Sequence, residues 1–214
     1  MSDTKKRILV GIAIAAVFAV AAVLQYNGIA AVRWLAVLIV IGMIAELVTT
    51  VLRARDSIRG GAVTAVALLG LLLVIMLGAA WLVGSRPWIM LLLLLTISGA
   101  DIGAWGFGKM IGGDKMWERL SANKTWSGQI AGIACGTFMA VMYGLLGADT
   151  FMPQLMWIGI SVSLLSQYGD LTASWVKRKI GVKDFGNILP GHGGLIDRFD
   201  GWIYVLPIIL MVML

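Results

Sequence analysis

Apolar runs of membrane-spanning length recur along almost the whole chain, and they constrain its fold more than any motif does. They extend over about Ile8 to Leu24, Ile29 to Leu52, Ala62 to Gly84, Trp88 onward, Gln129 to Gly147, Leu155 to Ser174 and Trp202 to Leu214. A helix needs about 20 predominantly apolar residues to cross the hydrocarbon of a bilayer. The expectation is therefore an all-α integral membrane protein with about seven transmembrane helices. Composition excludes a water-soluble domain, because 60% of the 214 residues are hydrophobic and only 13% are charged. The last run is short, which fits a partial or tilted span. Lys5, Lys6 and Arg7 before the first run, with Ala19-Val20-Ala21 within it, also match a cleaved signal peptide. The length of that run and the spans after it favour an uncleaved first helix.

The net charge of +6 could point to nucleic acid, but the basic residues sit in short segments between apolar runs. Anionic headgroups and the bias of Lys and Arg towards the cytoplasm explain that distribution better, so no nucleic-acid partner is expected. With the N-terminus inside, all of the 17 Lys and Arg residues except Arg33 and Arg86 face the cytoplasm of a bacterial-type cell membrane. The same topology brings three polar clusters to the cytoplasmic face: Asp101 to Gly128, Asp170 to Asp184, and Gly186 to Asp200. Arg33 can snorkel to the outer interface. Glu46 lies within the second run, and two readings stay open for it. It either faces a partner or a water-filled cavity, or it reaches the cytoplasmic interface. Cys135 is the only cysteine and lies in an apolar run, which makes it a small core residue rather than a disulfide or thiolate ligand.

The densest chemistry is in Ser174 to Asp200, SWVKRKIGVKDFGNILPGHGGLIDRFD. Lys177, Arg178, Lys179 and Lys183 precede a glycine-rich turn, and Asp197 and Asp200 follow it, with Asp170 in the apolar run just upstream. Clustered cations, flexible backbone N–H groups and spaced carboxylates are what a metal-bound polyphosphate needs. A helix starting near Gly194 would put Asp197 and Asp200 on one face. The cations also have an ordinary role as membrane anchors. His192 either donates to a carbonyl of the turn or to a phosphate, and the sequence does not choose. There is no Ser/His/Asp set, Walker loop or dinucleotide fingerprint. A phosphate monoester, whose second pKa is about 6, is nevertheless largely a dianion at neutral pH and needs no side-chain base to act as nucleophile.

These residues resemble the signature of the phosphatidate cytidylyltransferases, or CDP-diacylglycerol synthases. The pattern is carried by Ser174, Val176, Lys177-Arg178, Lys183-Asp184, Gly186, His192-Gly193-Gly194 and Asp197-Arg198-Phe199-Asp200. Upstream, Asp101 with GAWGFGK, the segment SANKTWSG from Ser121 to Gly128, and Ser166-Gln167 with Gly169-Asp170 are similar to further family segments. Ala122 stands where the family has proline, the chain is short for the family, and Glu46 resembles a family acidic residue. The resemblance covers the second half from Asp101 on. It implies that CTP and phosphatidic acid give CDP-diacylglycerol and pyrophosphate, with magnesium and room for a monovalent cation such as potassium. It implies a catalytic set of Asp170, Lys177, Arg178, Lys183, Asp197, Arg198 and Asp200. Ser121, Lys124, Thr125, Ser174, His192, Gly193 and Gly194 would bind substrate phosphates, and Asp170, Asp197, Asp200 and Asp101 would hold metal. A homodimer is compatible with it. Residues 1–86 would form lipid-facing helices, and 87–214 a catalytic region with the signature loop at 174–200.

Two rival functions remain at this point. A CTP-dependent polyprenol or dolichol kinase would transfer the γ-phosphate to an alcohol, which needs a base. A transporter would line an ion path with Glu46, Asp101 and Asp170, but transporters favour mid-membrane sites between broken helices.

Overall fold

A computed structural model describes residues 16–17, 20–21, 23–25, 27–54, 60–118, 120–146, 152–189 and 193–213. The first predicted span lies largely outside these residues. Seven helices follow: α1 (Ala31–Arg53), α2 (Gly61–Val83), α3 (Pro87–Ile111), α4 (Trp126–Leu145), α5 (Met152–Ile180), α6 (Ile196–Phe199) and α7 (Trp202–Met213). Four of them, α1 to α4, are long and apolar enough to cross a membrane. The fifth is 29 residues long but turns polar in its second half, and α7 has only 12 residues. The membrane-helical architecture is thus present, with four such spans among the described residues.

The described residues are helical apart from one short two-stranded ribbon between α3 and α4. The fourth run continues as helix to Ile111 and ends at Gly112 and Gly113, whose φ of 66° and 99° suit glycine. A short antiparallel ribbon follows, β1 (Lys115–Trp117) and β2 (Ser121–Thr125), with Lys115 opposite Thr125 and Trp117 opposite Ser121. Similarly, Lys177, Arg178 and Lys179 form the last turn of α5 rather than part of a loop. That turn closes at Gly181, with φ 75°, where the Val182 amide donates to the Lys177 carbonyl at 3.0 Å. Basic side chains there complement the negative end of the helix dipole.

The chain divides into two compact units, residues 1–87 with 175–214, and residues 88–174. In the first, α1 packs on α2 and α2 on α7. The inner side of α2 is Ala65, Leu69, Leu73, Met76 and Ala80, spaced three and four apart, while Leu68, Leu71, Ile75 and Leu82 are exposed. Both faces are apolar, which suits a helix that meets protein on one side and lipid on the other. Val40, Met43 and Leu47 of α1 and Ile203 and Leu206 of α7 complete this core. Arg33 lies 4.8 Å from the Trp81 ring centroid, a cation–π contact near the end of the helix pair.

In the second unit, α3, α4 and the apolar part of α5 approach closely through glycines. A Cβ on Gly132 would stand 2.8 Å from the Ala100 carbonyl, and one on Gly103 2.6 Å from the Cys135 Cβ. Small residues let membrane helices come together where burial of apolar surface supplies little drive. Cys135 accordingly sits in helix packing, as a small core residue would.

Candidate active site

The second unit assembles one polar cluster from three chain segments. β2 ends at Thr125, the N-cap of α4, whose hydroxyl accepts from the Gly128 amide at 3.2 Å. The Ser127 hydroxyl bonds Thr125 at 3.0 Å and donates to the Gly112 carbonyl, tying the start of α4 to the end of α3. Gly128 has to be small, since a Cβ there would meet the Ala104 carbonyl at 2.7 Å. This braced turn carries Lys124, whose ammonium lies 2.5 Å from Asp170 Oδ2 on α5. Ser174, one turn further along α5, donates to Asp170 Oδ1 at 3.4 Å. Asp101 on α3 is within electrostatic reach of both Asp170 and Lys124. The buried Gln167 helps seat α5 by donating to the Gln129 carbonyl at 3.4 Å. Of the residues predicted here, Asp101, Lys124, Asp170 and Ser174 come together, Ser121 lies on β2, and Thr125 is occupied as a helix cap.

The first unit assembles a second cluster from residues 175–200. Lys177 donates to Asp197 Oδ1 at 2.7 Å, and Asp197 Oδ2 accepts from the Phe185 and Gly194 amides at 2.9 and 3.0 Å. The pair is well shielded, with side chains 14% and 7% exposed. Gly193, with φ 84°, lets the chain turn back so that the Leu189 amide reaches the Gly193 carbonyl at 3.0 Å. The predicted helix is shorter than expected: α6 begins at Ile196, and Asp200 directly follows it, accepting from the Gly201 amide at 2.8 Å. Arg178, Lys183 and Arg198 are exposed around this core. His192, with Pro190 and Gly191, lies outside the described residues, as does the basic segment 55–59.

Two residues outside the predicted set belong to this cluster. Glu46 is 2% exposed and accepts from the Ile196 amide at 2.8 Å. Thr50, one turn along α1, donates to the Phe185 carbonyl. Of the two readings for Glu46, the structure supports a protein partner. A lone acid in an apolar run was a visible signal, but nothing local to it names a partner 150 residues away.

The arrangement can hold anions and a hard cation. Magnesium is usually held by one or two carboxylates together with substrate phosphates and water. Asp170 and Asp101 fit that requirement, with Lys124 beside them to meet a phosphate. No group of three His, Cys, Asp or Glu side chains converges among the described residues. Asp197 fits less well, because its two oxygens already accept three hydrogen bonds, one of them from a lysine.

The sequence profile of the Cytidylyltransferase family matches residues 1–214. The chain is 43% identical over 118 residues to a phosphatidate cytidylyltransferase of Staphylococcus aureus (strain COL), a match covering 53% of this chain and 44% of that protein. It is 44% identical over 115 residues to the phosphatidate cytidylyltransferase of Brucella suis biovar 1 (strain 1330), over 52% and 41% of the two chains. It is 41% identical over 115 residues to that of Staphylococcus saprophyticus, over 53% and 44%. The match thus spans less than half the length of these curated relatives.

Proposed function

This chain belongs to the cytidylyltransferase family, and from that premise we propose that it is a membrane nucleotidyltransferase of phospholipid biosynthesis. It converts CTP and phosphatidic acid to CDP-diacylglycerol and pyrophosphate. The name shared by its relatives supports the substrates. The observation that carries the reading is the 2.5 Å pair between Lys124 and Asp170, which joins two motifs remote in sequence into one charged site.

In the proposed reaction an oxygen of the lipid phosphomonoester attacks the α-phosphorus of CTP. A P–O bond forms there, and the bond from that phosphorus to the bridging oxygen breaks, its electron pair leaving with pyrophosphate. The nucleophile is already anionic, so no general base is required. What the protein must supply is charge compensation and alignment. Lys124, turning from Asp170 to a phosphate oxygen, offsets negative charge on CTP. Ser174 and Ser121 are hydroxyl donors for the same oxygens. Lys177, Arg178, Lys183, Arg198 and His192, with the amides of Gly193 and Gly194, supply donors in the signature segment. Magnesium, when bound, would neutralise the triphosphate and polarise the reacting phosphorus. Asp170 and Asp101 are its preferred ligands here, Asp197 and Asp200 ranking behind them. A monovalent cation such as potassium would need a further oxygen set. We also place the N-terminus and both charged clusters on the cytoplasmic side, supported by the Lys and Arg distribution.

The test is an assay of purified protein in phosphatidic acid micelles with CTP labelled in the cytidine or at the γ-phosphate. Magnesium-dependent transfer of cytidine label to lipid is the expected result. Transfer of the γ-label instead would make the protein a lipid kinase. Proteoliposome ion flux without either transfer would make it a transporter.

A further inference from the structure

We propose that Glu46 and Thr50 of the apolar helix α1 form a two-point polar clamp on the signature segment, with Glu46 a positioning residue for Asp197 and its Lys177 partner. Both clamp side chains are buried, 2% and 3% exposed, and they lie one helical turn apart on the same face. Glu46 Oε2 accepts from the Ile196 amide at 2.8 Å, and Thr50 donates to the Phe185 carbonyl. These two points bracket Asp197's own bonds to the Phe185 and Gly194 amides. The backbone at Phe185 is therefore held from both ends, its carbonyl by Thr50 and its amide by Asp197. At Gly194 to Ile196, successive amides are divided between the Asp197 and Glu46 carboxylates.

The glycines of the segment fit this role. A Cβ on Gly186 or on Gly194 would collide with the Glu46 carboxylate. Their small size is thus explained by the close approach of α1, and not only by a need to admit phosphate. A Cβ on Gly42, one turn before Glu46, would stand 2.6 Å from Leu195 Cδ1, which extends the docking by a further turn. A carboxylate within an apolar helix is costly unless it has a partner, and here the partners are main-chain donors of the segment that bears Asp197. The contact reaches 150 residues along the chain, so it sets the conformation of the segment in a way the segment's own sequence cannot.

Only the activity arm of the test rests on the functional reading above. Glu46→Ala, Glu46→Gln, Thr50→Val and, on the exposed side of α1, Val48→Ala would be purified in detergent. Amide hydrogen exchange over residues 185–200 and the steady-state constants for CTP would be measured. Losing a buried hydrogen bond to a charged group should raise exchange in this segment about tenfold or more in Glu46→Ala, with kcat falling by a similar factor. KM for CTP should stay within about threefold if alignment rather than binding is lost. Glu46→Gln keeps an acceptor for Ile196 and should retain both protection and kcat. Thr50→Val should loosen residues 185–189, and Val48→Ala should match wild type. Unchanged exchange in Glu46→Ala, or in Thr50→Val if the alanine variant does not fold, would overturn the clamp. So would a Glu46→Gln enzyme that is inactive with normal protection, since the carboxylate would then act chemically. A wild type without cytidylyl transfer would refute the functional reading, while the exchange data would still decide the clamp.

Discussion

Replacing Asp197 with asparagine probes the centre of the signature segment. The substitution keeps the shape and removes the charge. Asp197 accepts from Lys177 with one oxygen and from two backbone amides with the other. An asparagine can present its carbonyl to one side only, so its NH2 group must face either an ammonium or two N–H donors. The Lys177 ammonium, on a side chain 14% exposed, then loses its counter-charge. Removing one partner of a buried pair costs about 3–5 kcal/mol. For a chain of this size, that corresponds to a fall in melting temperature on the order of 10 °C. Thermal unfolding in detergent, followed by intrinsic tryptophan fluorescence, measures it directly. The paired substitution Lys177→Met with Asp197→Leu removes both charges and should recover much of the lost stability, since apolar replacements of buried pairs are often neutral. It should remain inactive. Asp197→Asn melting within about 2 °C of wild type would refute the argument, because the pair would then be neither buried nor structural in solution.

Thr125→Val should destabilise the protein by about 1 kcal/mol through loss of the α4 cap, read in the same melting assay, with a Ser replacement restoring it. Cysteines introduced at Lys179 and Asn187 should resist a membrane-impermeant thiol reagent in intact cells and react in inverted vesicles. The reverse pattern would place the signature segment outside.

Run length and the lack of a polar face made the membrane helices legible, as in α2, where the exposed side too is largely apolar, with Leu68, Leu71, Val74 and Ile75. The clustering of Lys177 and Asp197 was also legible as chemistry, because cations and acids at that density beside an apolar run have few other uses. What could not be read was how much of each motif serves the motif itself. Thr125 stood in a motif read for phosphate, and its hydroxyl caps α4 by accepting from the Gly128 amide, a contact that depends on where the helix starts and not on the motif. The ribbon at Lys115–Trp117 was missed because three residues carry too little alternation to register as a strand. Glu46 and Thr50 were separable from ordinary helix residues only by a contact that forms in the folded chain.

The two lysine–aspartate pairs have similar lengths, 2.5 and 2.7 Å, yet their surroundings assign them different work. Lys124 and Asp170 are 23% and 41% exposed, a setting in which an ion pair contributes only about 0–1 kcal/mol. Such a pair exchanges partners readily, so in the proposed reaction a triphosphate would take Lys124 and leave Asp170 for metal at little energetic cost. Lys177 and Asp197 are shielded and tied to the backbone, so they cannot part without disturbing the segment. Lys124→Ala should therefore leave the melting temperature nearly unchanged while lowering kcat/KM by about two decades or more, the usual loss when a charge-stabilising donor is removed. Arg53→Ala, at the end of α1, should lose no more than the roughly 1 kcal/mol of lipid attraction expected of an anchoring cation. If both variants show the same mild loss, Lys124 is an anchor, the exchange of partners does not occur, and Lys124 drops out of the proposed phosphate-binding set.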